Sequence, residues 1–142
     1  MGKVMNRIKL INETDAGMVR RGILDPAGVR WLEVDALVDT GATMLALPEG
    51  VVKALGVSTD ESRPVRLADG TVRVVALATG IRIEILGRGM TCDALVMPEG
   101  STPLIGQVQL EVLDLLVDAK SRDLVVNPAS PDSPMLDLLR AS

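Results

Sequence analysis

Ala36-Leu37-Val38-Asp39-Thr40-Gly41-Ala42-Thr43 is the stretch on which the reading of this chain turns: an aliphatic run leads straight into an acid, a hydroxyl residue and a glycine. A carboxylate at the end of a buried strand is costly unless its surroundings use the charge or share a proton. Gly41 lets the backbone turn sharply beside it. The bland alternative is an Asx turn that merely closes a strand. Working upstream, Leu32, Val34 and Ala36 alternate with Glu33, Asp35 and Leu37, which predicts a strand within Val29 to Val38. Its partner in a hairpin is expected near Val4 to Leu10 or Met18 to Leu24. The alternation collapses at Ala36-Leu37-Val38, so the strand's end is expected to be covered on both faces. Downstream, Met44-Leu45-Ala46-Leu47-Pro48 reads as a second apolar strand. It leads into a helix over Pro48 to Leu55, with Pro at its start and Gly56 as its stop.

Turn signals recur along the rest of the chain at Asp25-Pro26-Ala27-Gly28, Asp69-Gly70, Gly87-Arg88-Gly89 and Pro98-Glu99-Gly100, with short β-rich runs between them. That spacing predicts a mostly β barrel or sandwich. A two-residue Asp69-Gly70 turn sets Arg66 opposite Arg73 and Val65 opposite Val74, which places valines on one face and arginines on the other. A second short helix is predicted around Gln107 to Leu113. A hairpin follows, formed by Leu115 to Val117 and Leu124 to Val126. Pro128, Pro131 and Pro134, mixed with Ser and Asp, mark residues 128–142 as a Pro-rich tail, mobile unless a partner subunit captures it, behind a domain over residues 1–127.

Composition excludes more than it suggests. The chain has 142 residues with a formal net charge of −4, and no His, no Tyr and no Phe, so one domain with an aliphatic core is expected. Without His there is no Ser-His-Asp or Cys-His mechanism and no His-containing zinc site. Acid–base chemistry falls to carboxylates or Lys. Cys92 stands alone, which removes any intrachain disulfide or cysteine cluster and fits a reducing compartment or indifference to redox state. Interspersed charges and a single aromatic residue, Trp31, offer neither a basic stripe nor stacking platforms, which argues against nucleic acid. Lys3, Arg7 and Lys9 interrupt the apolar residues of the first segment, and no 18-residue apolar run occurs, so no membrane association and a cytoplasmic location are expected.

With Ala-Leu-Val before it, Ala42 after it and an apolar strand leading into a helix, the Asp39-Thr40-Gly41 segment resembles the active-site loop of the retropepsin-like aspartic proteases. Leu67-Ala68-Asp69-Gly70 is similar to the flap hairpin of the family's single-domain bacterial branch. Pro103-Leu104-Ile105-Gly106 is similar to its hydrophobic-hydrophobic-Gly motif before a short helix. The three signatures come in family order across about residues 30 to 127. The resemblance implies a closed β-barrel with a flap hairpin and one or two short helices, homodimeric, with no metal and no cofactor. It makes Asp39 the catalytic aspartate, with Thr40, Gly41 and Ala42 supporting its loop. Ala68, Asp69 and Gly70 become the flap tip over the substrate, and Leu104, Ile105 and Gly106 brace the loop.

Aspartic proteolysis needs two carboxylates sharing one proton, because like charges held that close cannot both ionise. This chain carries one such loop, so the active form is expected to be a homodimer with two Asp39 side chains facing each other across a two-fold axis. The substrate implied is an extended polypeptide. Many viral members place Asp and Arg where Thr43 and Gln107 stand here, which removes a charge pair from the dimer interface. Dimer contacts are then expected to be rebuilt from terminal segments, including Met1 to Leu10 and Met135 to Leu139. Two other readings compete: a phosphate-accepting Asp39, which lacks the neighbouring acids of a Mg²⁺ site, and a non-catalytic dimeric module that grips peptides by strand addition on the same fold.

Overall fold

The computed structural model describes residues 3–138. Strand β1 (Met5–Asn12) runs antiparallel to β2 (Trp31–Val38), with Leu10 opposite Leu32 and Ile8 opposite Val34. Five more strands complete the sheet: β3 (Ala46–Pro48), β4 (Ser58–Arg66), β5 (Val72–Ile85), β6 (Arg88–Met97) and β7 (Leu104–Ile105). Their order is β1-β2-β7-β3-β6-β5-β4. Lys9–Asn12 of β1 also pairs with Ile81–Glu84 of β5, which closes six strands into a barrel and leaves β4 outside as the partner of β5 in a projecting hairpin. Strands β8 (Leu115–Asp118) and β9 (Asp123–Val126) form a separate two-stranded sheet. The expected mostly β, closed barrel is therefore the observed architecture.

Aliphatic residues fill the barrel. Ile8, Leu10, Leu45, Leu47, Ile81, Ile83, Ile85 and Ile105 are fully buried, each contributing roughly 2 kcal/mol of hydrophobic stabilisation relative to exposure. Helix α2 (Glu49–Leu55) buries Val52 and Leu55 and ends at Gly56 in the left-handed conformation, as the Gly stop predicts. Helix α3 (Gln107–Leu113) buries Leu110 and Leu113. Among the described residues no helix is long and apolar enough to cross a membrane.

The structure departs from the sequence reading in three places. First, there are three short helices rather than one or two: the alternative hairpin partner at Met18 to Leu24 falls partly in helix α1 (Glu13–Arg20). Its stability comes from termini, not from an apolar stripe. The Asn12 side chain caps it by accepting from the Asp15 amide, and Glu13 and Asp15 lie in its positive first turn. Buried Asp15 then accepts from Arg30 Nε at 2.8 Å and Nη2 at 2.9 Å, tying α1 to the start of β2. The guanidinium holds the Asp15 carboxyl below the usual carboxylate range.

Second, the flap hairpin is slipped by one residue. Arg66 lies opposite Val72, and Val65 opposite Arg73, so the arginines do not oppose each other. The cause is a three-residue loop: the Leu67 amide donates to Thr71 O, and Gly70, at φ 86°, takes the left-handed bulge position. Asp69 fixes this loop by accepting from the Thr71 amide at 2.9 Å and the Thr71 hydroxyl at 2.6 Å.

Third, the tail is docked up to Met135. Arg88, nearly buried, donates to the carbonyls of Leu113, Asp114 and Ser130. Asp114 accepts from the side chains of Ser130 and Asn127 and from the Met135 amide. Proline spacing signals the absence of helix and strand, but these side-chain anchors have no local sequence signature. Leu139 of the expected apolar patch, like Met1 and Gly2 of the expected N-terminal contact, lies outside the described residues.

Candidate active site

The loop after β2 is suspended between backbone groups of two other elements. Strand β2 pairs in parallel with β7, Leu37 beside Leu104 and Val38 beside Ile105. One residue further the Asp39 amide donates to Ile105 O at 3.0 Å. The loop then turns within itself: the Asp39 carboxylate accepts from the Gly41 amide at 2.9 Å, and the Ala42 amide donates to Asp39 O. Helix α3 holds its far side. Two of the amides that its first turn leaves without helical partners, those of Gln107 and Val108, donate to Ala42 O at 2.8 Å and Thr43 O at 2.9 Å.

Gly106 makes this junction possible. A β-carbon there stands 2.6 Å from the Met44 α-carbon, a separation only a displaced backbone can relieve. Ile105 is fully buried beneath the loop and Leu104 is half-buried. The structure thus brings Asp39–Ala42 and Leu104–Gly106 into one assembly.

Sequence reasoning missed Gln109. This fully buried side chain accepts from the Gly106 amide at 3.2 Å, the returning half of a capping box. The Gly106-x-x-Gln109 spacing was the available signal. It was hidden because Gly lacks the side chain that normally announces such a box.

Asp39 is half-buried, whereas Thr40 and Gly41 are exposed. By strand alternation the Asp39 side chain lies on the same side as Leu37, two residues earlier. Lateral pairing carries that side across the sheet: Leu37 beside Leu104, Leu104 beside Ala46, Ala46 beside Leu95 and Leu95 beside Leu77. Of these five, Ala46 and Leu77 are buried and Leu37, Leu95 and Leu104 half-buried, whereas the main core cluster takes Leu47, Ala78, Ala94 and Ile105 on the opposite side. An aliphatic row therefore leads from the acid toward the base of the flap. The flap tip, Ala68, Asp69 and Gly70, is exposed, and no hydrogen bond among the described residues joins it to the Asp39 loop.

Thr40 stands where two grooves meet. One runs between Lys3–Val4, Leu37–Val38 and the β8–β9 turn. The other, of about 450 Å³, runs between α3, β8 and the segment Met135–Asp137. Among the described residues no group of three or more acidic or cysteine side chains is gathered as metal ligands. Cys92 is largely enclosed, and burial pushes its thiol up to about 11, which keeps it protonated and unreactive at neutral pH.

The chemistry available here is that of a carboxylate at the end of an apolar strand, on a loop whose shape is dictated by its neighbours. Residues 29–111 match the profile of a protein family described as "gag-polyprotein putative aspartyl protease". A search of the curated proteins finds no match.

Proposed function

The chain belongs to this aspartyl protease family, and from that premise we propose that it is an aspartic endopeptidase acting as a homodimer. The observation that carries the reading is the bracing of Asp39: strand β7 from one side and the first turn of α3 from the other fix the backbone around the one carboxylate that ends the β2 strand. Such preorganisation is what a catalytic carboxylate requires, because its position is set before substrate arrives.

One copy supplies one carboxylate, so the site is complete only when a second copy brings its own Asp39 across a two-fold axis. The two acids then titrate as a pair. At mildly acidic pH the pair holds one proton. The neutral member donates to the scissile carbonyl oxygen while the ionised member takes a proton from water, which adds to the carbonyl carbon. Collapse of the tetrahedral intermediate, with proton transfer to the leaving nitrogen, breaks the C–N bond and restores the shared proton. On this reading Thr40, exposed at the loop tip, meets its counterpart on the second copy.

An extended peptide fits between flap and loop, with main-chain hydrogen bonds for affinity and the half-buried Leu37, Leu104 and Leu95 as an aliphatic wall for apolar side chains beside the cleaved bond. The protein works in a reducing, cytoplasmic setting, consistent with one largely enclosed thiol.

The test is digestion of a diverse peptide mixture across roughly pH 4 to 7 by the wild-type chain and Asp39→Asn, read by mass spectrometry with the oligomeric state measured on the same samples. Cleavage that depends on Asp39 and rises with the dimer fraction supports the reading. Cleavage that survives Asp39→Asn, or silence from a demonstrated dimer, refutes it, and the second result favours a peptide-binding module.

A further inference from the structure

The register of the flap decides which charges it shows to the Asp39 side of the sheet. Residues paired across an antiparallel ladder share a face, and so do alternate residues along one strand. Leu77 ends the row that begins beside Asp39, and it lies opposite Glu61. The next pair outward on that face is Val75 with Arg63, and the one after it is Arg73 with Val65. The face continuous with the acid therefore carries Arg63 and Arg73 around the half-buried Val65 and Val75. Arg66 lies opposite Val72 on the other face.

Neither guanidinium is spent on its own chain. Both side chains are exposed, and among the described residues no ion pair includes a flap arginine. Asp69, the acid at the tip, is already engaged by Thr71, and Glu61 stands at the base of the face beside Leu77. Arg63 and Arg73 are diagonal neighbours, about 7 Å apart where their side chains leave the backbone. Like charges that close repel each other, a cost that a negative partner lying between them reverses. On a chain whose formal net charge is −4, this cationic pair is a local exception.

We infer that Arg63 and Arg73 form a specificity site for substrate carboxylates, so that the chain selects peptides carrying Glu or Asp near an apolar cleaved bond. The inference rests on the peptidase reading, in which an extended peptide lies between flap and Asp39 loop. The half-buried leucines then take its apolar side chains, and the outer part of the flap takes the acids. Arg73 stands about 13 Å along β5 from Leu77, which an extended peptide spans in about four residues. Guanidinium forks match carboxylates in shape as well as charge, and a flap lying over the peptide shields the pair from water.

The test digests a synthetic peptide library, with acidic and basic residues equally frequent, using wild type, Arg63→Gln/Arg73→Gln, Arg63→Glu/Arg73→Glu and Arg66→Gln. The substituted side chains are exposed, so folding is retained, and circular dichroism checks it. Wild type is expected to cut peptides with flanking Glu or Asp about tenfold faster than those with Lys in the same places, and the ratio shrinks in high salt. The double glutamine variant loses the preference, the double glutamate variant inverts it, and Arg66→Gln keeps it. Fluorescence anisotropy of labelled peptides with an apolar centre and flanking Glu, Gln or Lys, bound to Asp39→Asn, reads the same selection without chemistry. Cleavage with no acid preference overturns the site and leaves the peptidase standing. So does a preference that survives the double glutamine change or falls equally in Arg66→Gln. Acid-selective binding by a chain whose wild type never cleaves sustains the site and sinks the peptidase. A chain that neither binds nor cuts any peptide overturns both.

Discussion

Residues 39–43 are held from outside and residues 67–71 from within. The Asp39 loop donates a hydrogen bond to β7 and accepts two from the start of α3, and Gly106 beside it has no room for a β-carbon against the Met44 backbone. The flap turn closes on itself through Leu67, Gly70 and the Asp69–Thr71 pair, and Gly70 has open space where a β-carbon stands. The difference separates two requirements of one site. On the proposed function Asp39 is a catalytic carboxylate that must not move, and the shape of its loop is dictated by neighbours that belong to the core. On the proposed function the turn is a cover that must move to admit substrate, and it keeps its own shape while contacting little else.

The largest expected effect sharpens the chemical side of this contrast. Asp39→Asn keeps the size of the side chain and an oxygen able to accept from the Gly41 amide, so peptidase activity is expected to fall by about 10³-fold or more with unchanged thermal stability. An equal loss of stability in a melting experiment places Asp39 among structural residues instead. Next come the two glycines. Gly106→Ala forces backbone against backbone and is expected to cost about 3 kcal/mol in urea denaturation. Gly70→Ala meets no atom and incurs only the left-handed penalty, about 1 kcal/mol. Equal costs break the comparison between an externally and an internally held turn.

Arg88→Met leaves the carbonyls of Leu113, Asp114 and Ser130 without their donor. About 2 kcal/mol is expected to be lost, with limited proteolysis cutting after residue 127 before it cuts the barrel. Resistance of the tail in that variant means the Asp114 contacts suffice alone.

The smallest effect is one of pH. Hydrogen bonds from Ser130 first, then Asn127 and the Met135 amide, hold the Asp114 carboxyl at about 2 against an ordinary 3.8. Its contribution is therefore complete above the ordinary value and is lost as pH falls from there through about 2. Tail protection measured by hydrogen exchange is expected to hold at pH 5 and fade below roughly pH 3. Fading at pH 5 assigns the anchor to another group.

Much of the fold was legible because its signals are local. Gly56 ends α2, Leu32-Val34-Ala36 sets the inward face of β2, and Leu115 and Leu124 seed the last hairpin. What escaped depended on partners distant in sequence or on a single backbone angle. Helix α1 needs Arg30 to satisfy Asp15, and the tail needs Arg88, 42 residues before Ser130. The flap register hinged on whether two or three residues turn, a choice made by Gly70 and Asp69 together. At the candidate site, Asp39-Thr40-Gly41 and Leu104-Ile105-Gly106 could be recognised as motifs. That they are joined by α3 amides could not, because a backbone amide carries no residue identity.

Arg88 precedes by 42 residues one of the groups it holds. Its guanidinium shares its protons with carbonyls from the close of α3 and from Ser130, so during synthesis the barrel strands emerge well before one of the acceptors that Arg88 uses. A nascent or truncated chain lacking Ser130 carries a cation short of an acceptor. Translation of the barrel alone therefore leaves part of the fold's stability unrealised until Ser130 follows.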